Sequence, residues 1–372
     1  MERIGTPGAG AWSEVLAAAP AVARRRLRTA LHHAGWGSTP RRSWVAAIAP
    51  RLVAATEPVF REERTAVASP ARDWFTETIT VTDTAVVVAI VRCRASGRRR
   101  VVKMPCTVGG AESLRRQADV LAALHADARL AGWLDVVPRQ CTHGEISGRR
   151  YWVEDAVPGT PVSGTALRTA GGSPIFAAAI RLIEDLHART ADERTLHATD
   201  VAEWVDRPLS LLETFYAGRP RYGAYLAVLR RLGAQLSEEL AGRCVRTSWI
   251  HGDFWPGNLL ISGPAVTGVV DWDRAGPRQL PLQDLLHLSF FVGRACDGCE
   301  LGDVVVRSLD DGLEDAIGVP TRQLDAWLGG VPHTSAVLLF WLRHISLYIG
   351  SEGHGDNRDW LRRNVHSVLA RC

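Results

Sequence analysis

At 372 residues, with 46% hydrophobic and 23% charged side chains and a mean hydropathy of −0.03, the chain has the composition of a globular protein of one or two domains. Its longest apolar run, SAVLLFWL at 335–342, falls well short of the roughly 18–20 residues a membrane span needs. The net charge of +4 divides into +9 over residues 1–110 and −5 over the rest, yet no zinc-finger, basic-zipper or RNA-binding signature accompanies the arginines, so a nucleic-acid partner is not expected.

Residues 1–70 are rich in alanine and arginine and broken by Pro20, Gly35, Pro40, Pro50 and Pro58. They predict a helical N-terminal extension whose arginines face solvent. A surface-lying basic helix and an organellar leader are the alternatives for such a segment. MERIGTPGAGAW lacks the hydrophobic stretch of a secretory signal, which points to the cytoplasm.

From Trp74 the pattern becomes β-rich. FTETITVTD, AVVVAIVRCRA and RRRVVKMP read as three strands, with Ser96-Gly97 turning between the last two. A helix follows, carrying Leu114, Ala118, Leu121 and Leu124 at helical spacing. RRYWVEDAVPG then reads as a further strand ending at Pro158-Gly159. These elements predict a small antiparallel lobe over 71–157. Beyond it, over 158–372, helical patterns dominate, and the one strong β island is SWIHGDFWPGNLLISGPAVTGVVDWD, with a hairpin turn at Gly263-Pro264. The fold class expected is α+β: an antiparallel sheet lobe, then a largely helical lobe.

Lys103, in VVKMP, is the only lysine; the other 43 cations are arginine. An ammonium is a compact point charge, whereas a guanidinium is a rigid planar fork. In a chain so biased to arginine, the exception marks either a stray surface residue or a place whose chemistry needs an ammonium.

The β island bears on that choice. Asp253 precedes Asn258 by five residues in HGDFWPGN, and Asp271 follows thirteen residues later across the hairpin. Phosphoryl transfer from a nucleotide uses Mg²⁺, which takes oxygen ligands, commonly one or two carboxylates with phosphates and water. A hairpin that brings Asn258 beside Asp271 would supply such ligands. Asp253 would then orient an acceptor hydroxyl and take its proton, and a strand lysine such as Lys103 would grip the nucleotide phosphates.

HGDxxPGN followed by a strand ending in DW, downstream of a strand lysine, resembles the aminoglycoside phosphotransferase and choline kinase-like family, a branch of the protein-kinase-like fold. The resemblance covers roughly residues 74–372. It implies a bilobal kinase-like fold, with Asp253 as catalytic base, Asn258 and Asp271 as Mg²⁺ ligands and Lys103 on the phosphates of ATP or GTP. It also implies that the backbone from Asp155 to Val157 forms the adenine hinge. His251 would support the catalytic loop, and Asp284 would anchor the next helix beneath it. The acceptor implied is a hydroxyl of an antibiotic, a sugar-like compound or a biosynthetic intermediate.

Two positions depart from the family pattern. The helix after the lysine strand should offer a glutamate to the lysine, and the register puts Gln117 there. The first hairpin, TVTDTAV, has no glycine over the phosphates, leaving the hydroxyls of Thr82 and Thr84 and the loop amides as candidate contacts. Besides an active kinase, two readings therefore stay open. One is an inactive binding or scaffold protein on the same fold, which Gln117 favours. The other is a metal-dependent hydrolase with His251, Asp253 and Asp271 as ligands, which leaves Asn258 and Lys103 without a role.

Among the remaining features, Cys296 and Cys299 in CDGC have metal or redox spacing, but no second pair matches them, and seven cysteines spread thinly do not make a disulfide framework. Asp297, Glu300 and Asp303 are candidate contacts for an amine-bearing acceptor, against a plain reading as a solvated loop. Trp255, Trp272 and Trp341 are candidate pocket walls, against a reading as core.

Overall fold

Every second residue of VVVAIVRC is buried, because a strand turns successive side chains to opposite faces. This segment is β2 (Val86–Cys93), flanked by β1 (Trp74–Val81) and β3 (Arg99–Pro105). The computed structural model describes residues 74–82, 86–146, 149–162, 165–167, 173–313, 327–328, 330–349 and 354–372. The expected N-terminal extension and Thr84 lie outside these residues.

Between β2 and β3 the chain turns at Ser96-Gly97, and Gly97 takes a φ of +70°, a left-handed conformation that costs glycine little. Two further strands, β4 (Gln140–Ile146) and β5 (Arg149–Asp155), complete an antiparallel sheet in the order β1-β2-β3-β5-β4. Strand β4 is an addition to the sequence reading: QCTHGEI is polar and lies at the sheet edge, so it carries little hydrophobic signal. One face of the sheet buries Val87, Ala89, Val91, Val102, Met104, Tyr151 and Val153. Lys103 alternates to the other face.

The described residues fall into two compact units. One runs up to Leu114 and includes Gln140–Ala156; the other comprises Arg115–Arg139 and Val157–Cys372. Helix α1 (Val108–Ala126) passes from the first into the second.

The second unit is mainly helical: α2 (Ser173–Arg189), α3 (Arg207–Ala217), α4 (Gly223–Leu240), α5 (Leu282–Asp297), α6 (Leu301–Asp311) and α7 (His333–Ile349). Leu121 and Leu124 from the end of α1, Ile183 and Leu186 of α2, Leu229 and Leu236 of α4 and Phe290 of α5 share one core. Helix α7 is apolar nearly all round, as a helix enclosed by protein must be. No helix among the described residues is long and apolar enough to cross a membrane.

Two small sheets organise the loops of this unit. Strand β8 (Cys244–Ile250) is sandwiched between β7 (Asp192–Thr195) and β11 (Gly276–Gln279), while β9 (Leu259–Ser262) pairs with β6 (Thr160–Pro161) and β10 (Ala265–Val269). The β island is therefore wider than expected, since β6, β7 and β11 are short strands recruited from outside it. The hairpin at Gly263-Pro264 forms as read, with Ala265 paired to Ser262.

Candidate active site

The loop after β8 is held from below by one carboxylate. Asp284, fully buried in the first turn of α5, accepts the backbone N–H of His251 at 2.8 Å and that of Gly252 at 2.8 Å. His187 of α2 donates to it from Nε2 at 3.1 Å. Burial pushes the Asp284 pKa up, but His187 and His251 outweigh burial and hold it below the usual carboxylate range. A carboxylate taking several donors is stabilised in its charged form.

His251 is fully buried and uses both ring nitrogens. Nε2 donates to the Val270 carbonyl at 2.9 Å, and Nδ1 accepts the Asp253 N–H at 3.2 Å. Its ring also lies 4.5 Å from that of the buried Trp272. With both nitrogens committed, His251 has none left to ligate a metal, which removes the hydrolase reading. No group of three or more His, Cys, Asp or Glu suited to a metal occurs among the described residues. Gly252 takes a φ of +74°, and a Cβ there would run into the Arg274 carbonyl; this is where the loop needs glycine.

Asp253 emerges from this support partly exposed. Its Oδ2 accepts from the Asn258 amide nitrogen at 3.0 Å, and Oδ1 lies 3.3 Å from Arg274 Nη1 and 3.6 Å from His287 Nε2. Asn258 also donates to the Asp253 carbonyl at 2.9 Å. Its amide nitrogen is thus spent on Asp253, leaving the side-chain oxygen as its uncommitted atom. The Val270 N–H donates to the Asn258 carbonyl at 3.0 Å, and this bond brings the next residue, Asp271, alongside Asn258. Asp271 has φ 63° and ψ 61°, a left-handed conformation that Asp adopts more readily than most residues.

Three charged or titratable neighbours went unread in the sequence because they come from separate elements. Burial disfavours the Arg274 cation, but the charges of Asp253 and Asp273 and a hydrogen bond to Tyr348 more than offset this and raise its pKa. His287 of α5 has its pKa lowered to about 4, chiefly by burial, with Asp253 opposing. His344 of α7 packs 5.3 Å from His287 and is likewise pushed well down, first by burial.

On the sheet, Lys103 and Glu154 are both buried, and Lys103 Nζ lies 3.1 Å from Glu154 Oε2. Lys103 pairs in register with Trp152 of β5, and Val101 pairs with Glu154, so Glu154 stands diagonal to the lysine on the same face. The lysine thus has a carboxylate from the neighbouring strand. Gln117, expected as the lysine's partner, is buried on α1 and brings no charge. Strand pairing of 101–103 with 152–154 was the signal that could have found Glu154.

Thr82 closes the β1–β2 connection, its N–H donating to the Val86 carbonyl at 2.8 Å and its Oγ1 accepting the Val86 N–H at 3.1 Å. Asp155 ends β5 and forms an ion pair with Arg100. Val157 packs against Gly268 of the β9–β10 hairpin. Glu300 and Asp303 are occupied in capping α6, and Asp303 also pairs with Arg363, so neither is free to meet an acceptor. Trp272 and Trp341 are fully buried core residues, while Trp255 is partly exposed and lies 6.0 Å from Phe291. None of the seven cysteines, Cys296 and Cys299 included, is joined in a disulfide, and Arg307 donates to Cys299 Sγ at 3.6 Å.

The model of a phosphotransferase enzyme family, APH, matches residues 89–315. No curated protein matches the chain in sequence. Among solved structures, a thermostable mutant of the aminoglycoside phosphotransferase APH(4)-Ia in its apo form is 14% identical. That match covers 85% of this chain and 99% of the other, with a TM-score of 0.51. A second structure of that enzyme, a ternary complex with ADP and hygromycin B, is 15% identical, covering 79% and 94%, with a TM-score of 0.52. At such identities the likeness establishes a common kinase-like fold.

Proposed function

The chain belongs to the APH family of phosphotransferase enzymes, and from that premise we propose that it is a kinase transferring the γ-phosphate of ATP or GTP to a hydroxyl of a small molecule. The observation that carries this reading is the Asp253 carboxylate: partly exposed, oriented by Asn258 and Arg274, and mounted on a loop whose backbone is bonded to a buried Asp284.

In this reading, Asp253 receives the acceptor hydroxyl and takes its proton as the oxygen attacks phosphorus. Because Asn258 occupies Oδ2 and Arg274 stands beside Oδ1, the carboxylate cannot swing away, and positioning of this kind accounts for much of the catalysis of phosphoryl transfer. The side-chain oxygen of Asn258 and the carboxylate of Asp271 form a hard, oxygen-only donor pair, which fits Mg²⁺ completed by phosphate and water. When bound, that ion neutralises phosphate charge during transfer. Lys103 holds the donor phosphates, and the backbone of 155–157 receives the adenine or guanine ring. APH(4)-Ia is solved with ADP and hygromycin B, which supports a nucleotide donor and makes antibiotics and sugar-like compounds the first acceptors to test.

Glu154 bears on whether the protein is active. A buried ammonium needs a counter-charge, and Gln117 has none to give; Glu154 provides it from an adjacent strand. The argument for a disabled site loses its main support. Glu154→Gln is expected to lower kcat/KM for the nucleotide by about 10–100-fold, the cost of losing a charged hydrogen bond. Unchanged steady-state kinetics in that variant would remove Glu154 from the account.

Thermal unfolding with MgATP, MgGTP or neither, on the wild type and on Asp271→Ala, tests the reading. A ligand that binds only the folded state raises the midpoint, so a rise is expected that requires both the metal and Asp271. If neither nucleotide shifts the wild-type midpoint, the kinase assignment falls.

A further inference from the structure

Among the described residues, Arg343 stands beside this loop with no carboxylate paired to its guanidinium. It projects from α7, and among the described residues its guanidinium makes one hydrogen bond, donating from Nη2 to the Arg274 carbonyl at 3.2 Å. Its place is against the catalytic loop, since a Cβ on Gly252, the residue before Asp253, would approach Nη2 to 2.9 Å. Among the described residues no carboxylate pairs with it.

The acidic groups whose fields reach Arg343 are all engaged elsewhere. Asp284 accepts from His251, Gly252 and His187. Glu203 accepts from Gln279 at 2.8 Å. Asp253 is taken by Asn258 and Arg274. Burial accordingly pushes the Arg343 pKa down, and the neighbouring Arg274 cation adds to this, with the three acids only partly opposing. The side chain is still partly reached by solvent, so its remaining N–H donors are open to a ligand.

An enclosed cation without a partner is costly, and a guanidinium is the side chain best shaped to take a carboxylate or phosphate through two parallel hydrogen bonds. We propose that Arg343 binds an anionic group, a carboxylate or a phosphate, on the same small molecule whose hydroxyl Asp253 receives. This rests on the kinase reading above for the identity of that molecule. It separates the acceptor from polycationic ones: the compound carries at least one negative charge near the hydroxyl that is phosphorylated.

The test uses inorganic phosphate and acetate as probes on the full chain, with and without saturating Mg²⁺ and AMP-PNP, read by thermal unfolding. At tenfold above its dissociation constant, an anion bound at Arg343 is expected to raise the midpoint by about 2 °C or more. That shift should vanish in Arg343→Met and persist, diminished, in Arg343→Lys. The ligand-free midpoint of Arg343→Met should equal or exceed that of the wild type, because an unanswered charge has been removed; a role in holding the fold together predicts a drop. Arg343→Gln repeats the comparison if the methionine variant does not fold.

A larger response to phosphate identifies a phosphate ester, and a larger response to acetate a carboxylate. The proposal is overturned if neither anion stabilises the wild type, or if the shift survives unchanged in Arg343→Met. Loss of the nucleotide shift alone overturns the kinase reading instead, since the anion titration without nucleotide still reports on Arg343.

Discussion

Asp253→Ala is expected to reduce turnover by about 10²–10⁴-fold, the usual contribution of a positioned general base, while MgATP still raises the unfolding midpoint. The split follows from where the carboxylate stands. Asp253 contacts Asn258, Arg274 and His287, and in the proposed arrangement it faces the acceptor hydroxyl, whereas Lys103 and Asp271 meet the nucleotide. Truncation removes the proton acceptor and releases Arg274, but leaves the backbone bonds of the loop to Asp284 in place. The measurement is a coupled assay of nucleotide turnover alongside a thermal shift on the same preparation. Full turnover in the variant would remove Asp253 from the chemistry.

The second large effect falls on stability. Asp284→Asn should destabilise the protein by about 3–5 kcal/mol, the range for breaking a buried charged network at one partner. The carboxylate serves three donors, two of them backbone N–H groups on adjacent residues. An asparagine has one oxygen for them and turns an NH₂ toward the rest, so at least one buried donor is left facing another. Urea unfolding of both proteins measures the difference, and a midpoint equal to wild type would contradict the anchoring role.

Acid should act on the same region with a definite sign. The folded-state pKa of Asp284 is depressed, so its contribution is present above the unfolded value near 3.9 and is lost as pH falls through the folded one. His287, lowered to about 4, acts earlier. Between about pH 6.5 and 4 the unfolded chain binds a proton that the folded state refuses, so stability declines as pH drops through that window.

How much of this was legible beforehand differs from residue to residue. Asp253, Asn258 and Asp271 could be read because they lie within nineteen positions of one another, on a loop and hairpin whose turn is itself written in Gly263-Pro264. The alternation in β2 and the 3.6-residue rhythm of the helices gave the elements for the same reason: each is set by residues a few positions apart. Strand β4 was missed because an exposed edge strand needs no hydrophobic alternation.

The sequence by itself determined the α+β class, the main strands and helices in their order, the loop that presents Asp253 and the singular lysine at 103. Only the tertiary structure decided which groups answer the charges. The lysine's carboxylate comes from Glu154, fifty-one positions on but diagonal to it across paired strands. The acids around Arg343 prove to be spent on His187, Gln279 and Arg274. Hydrophobic periodicity is local and survives in the one-dimensional record, whereas Coulombic and hydrogen-bond partnership depends on distance in space, which is set only when separate elements pack.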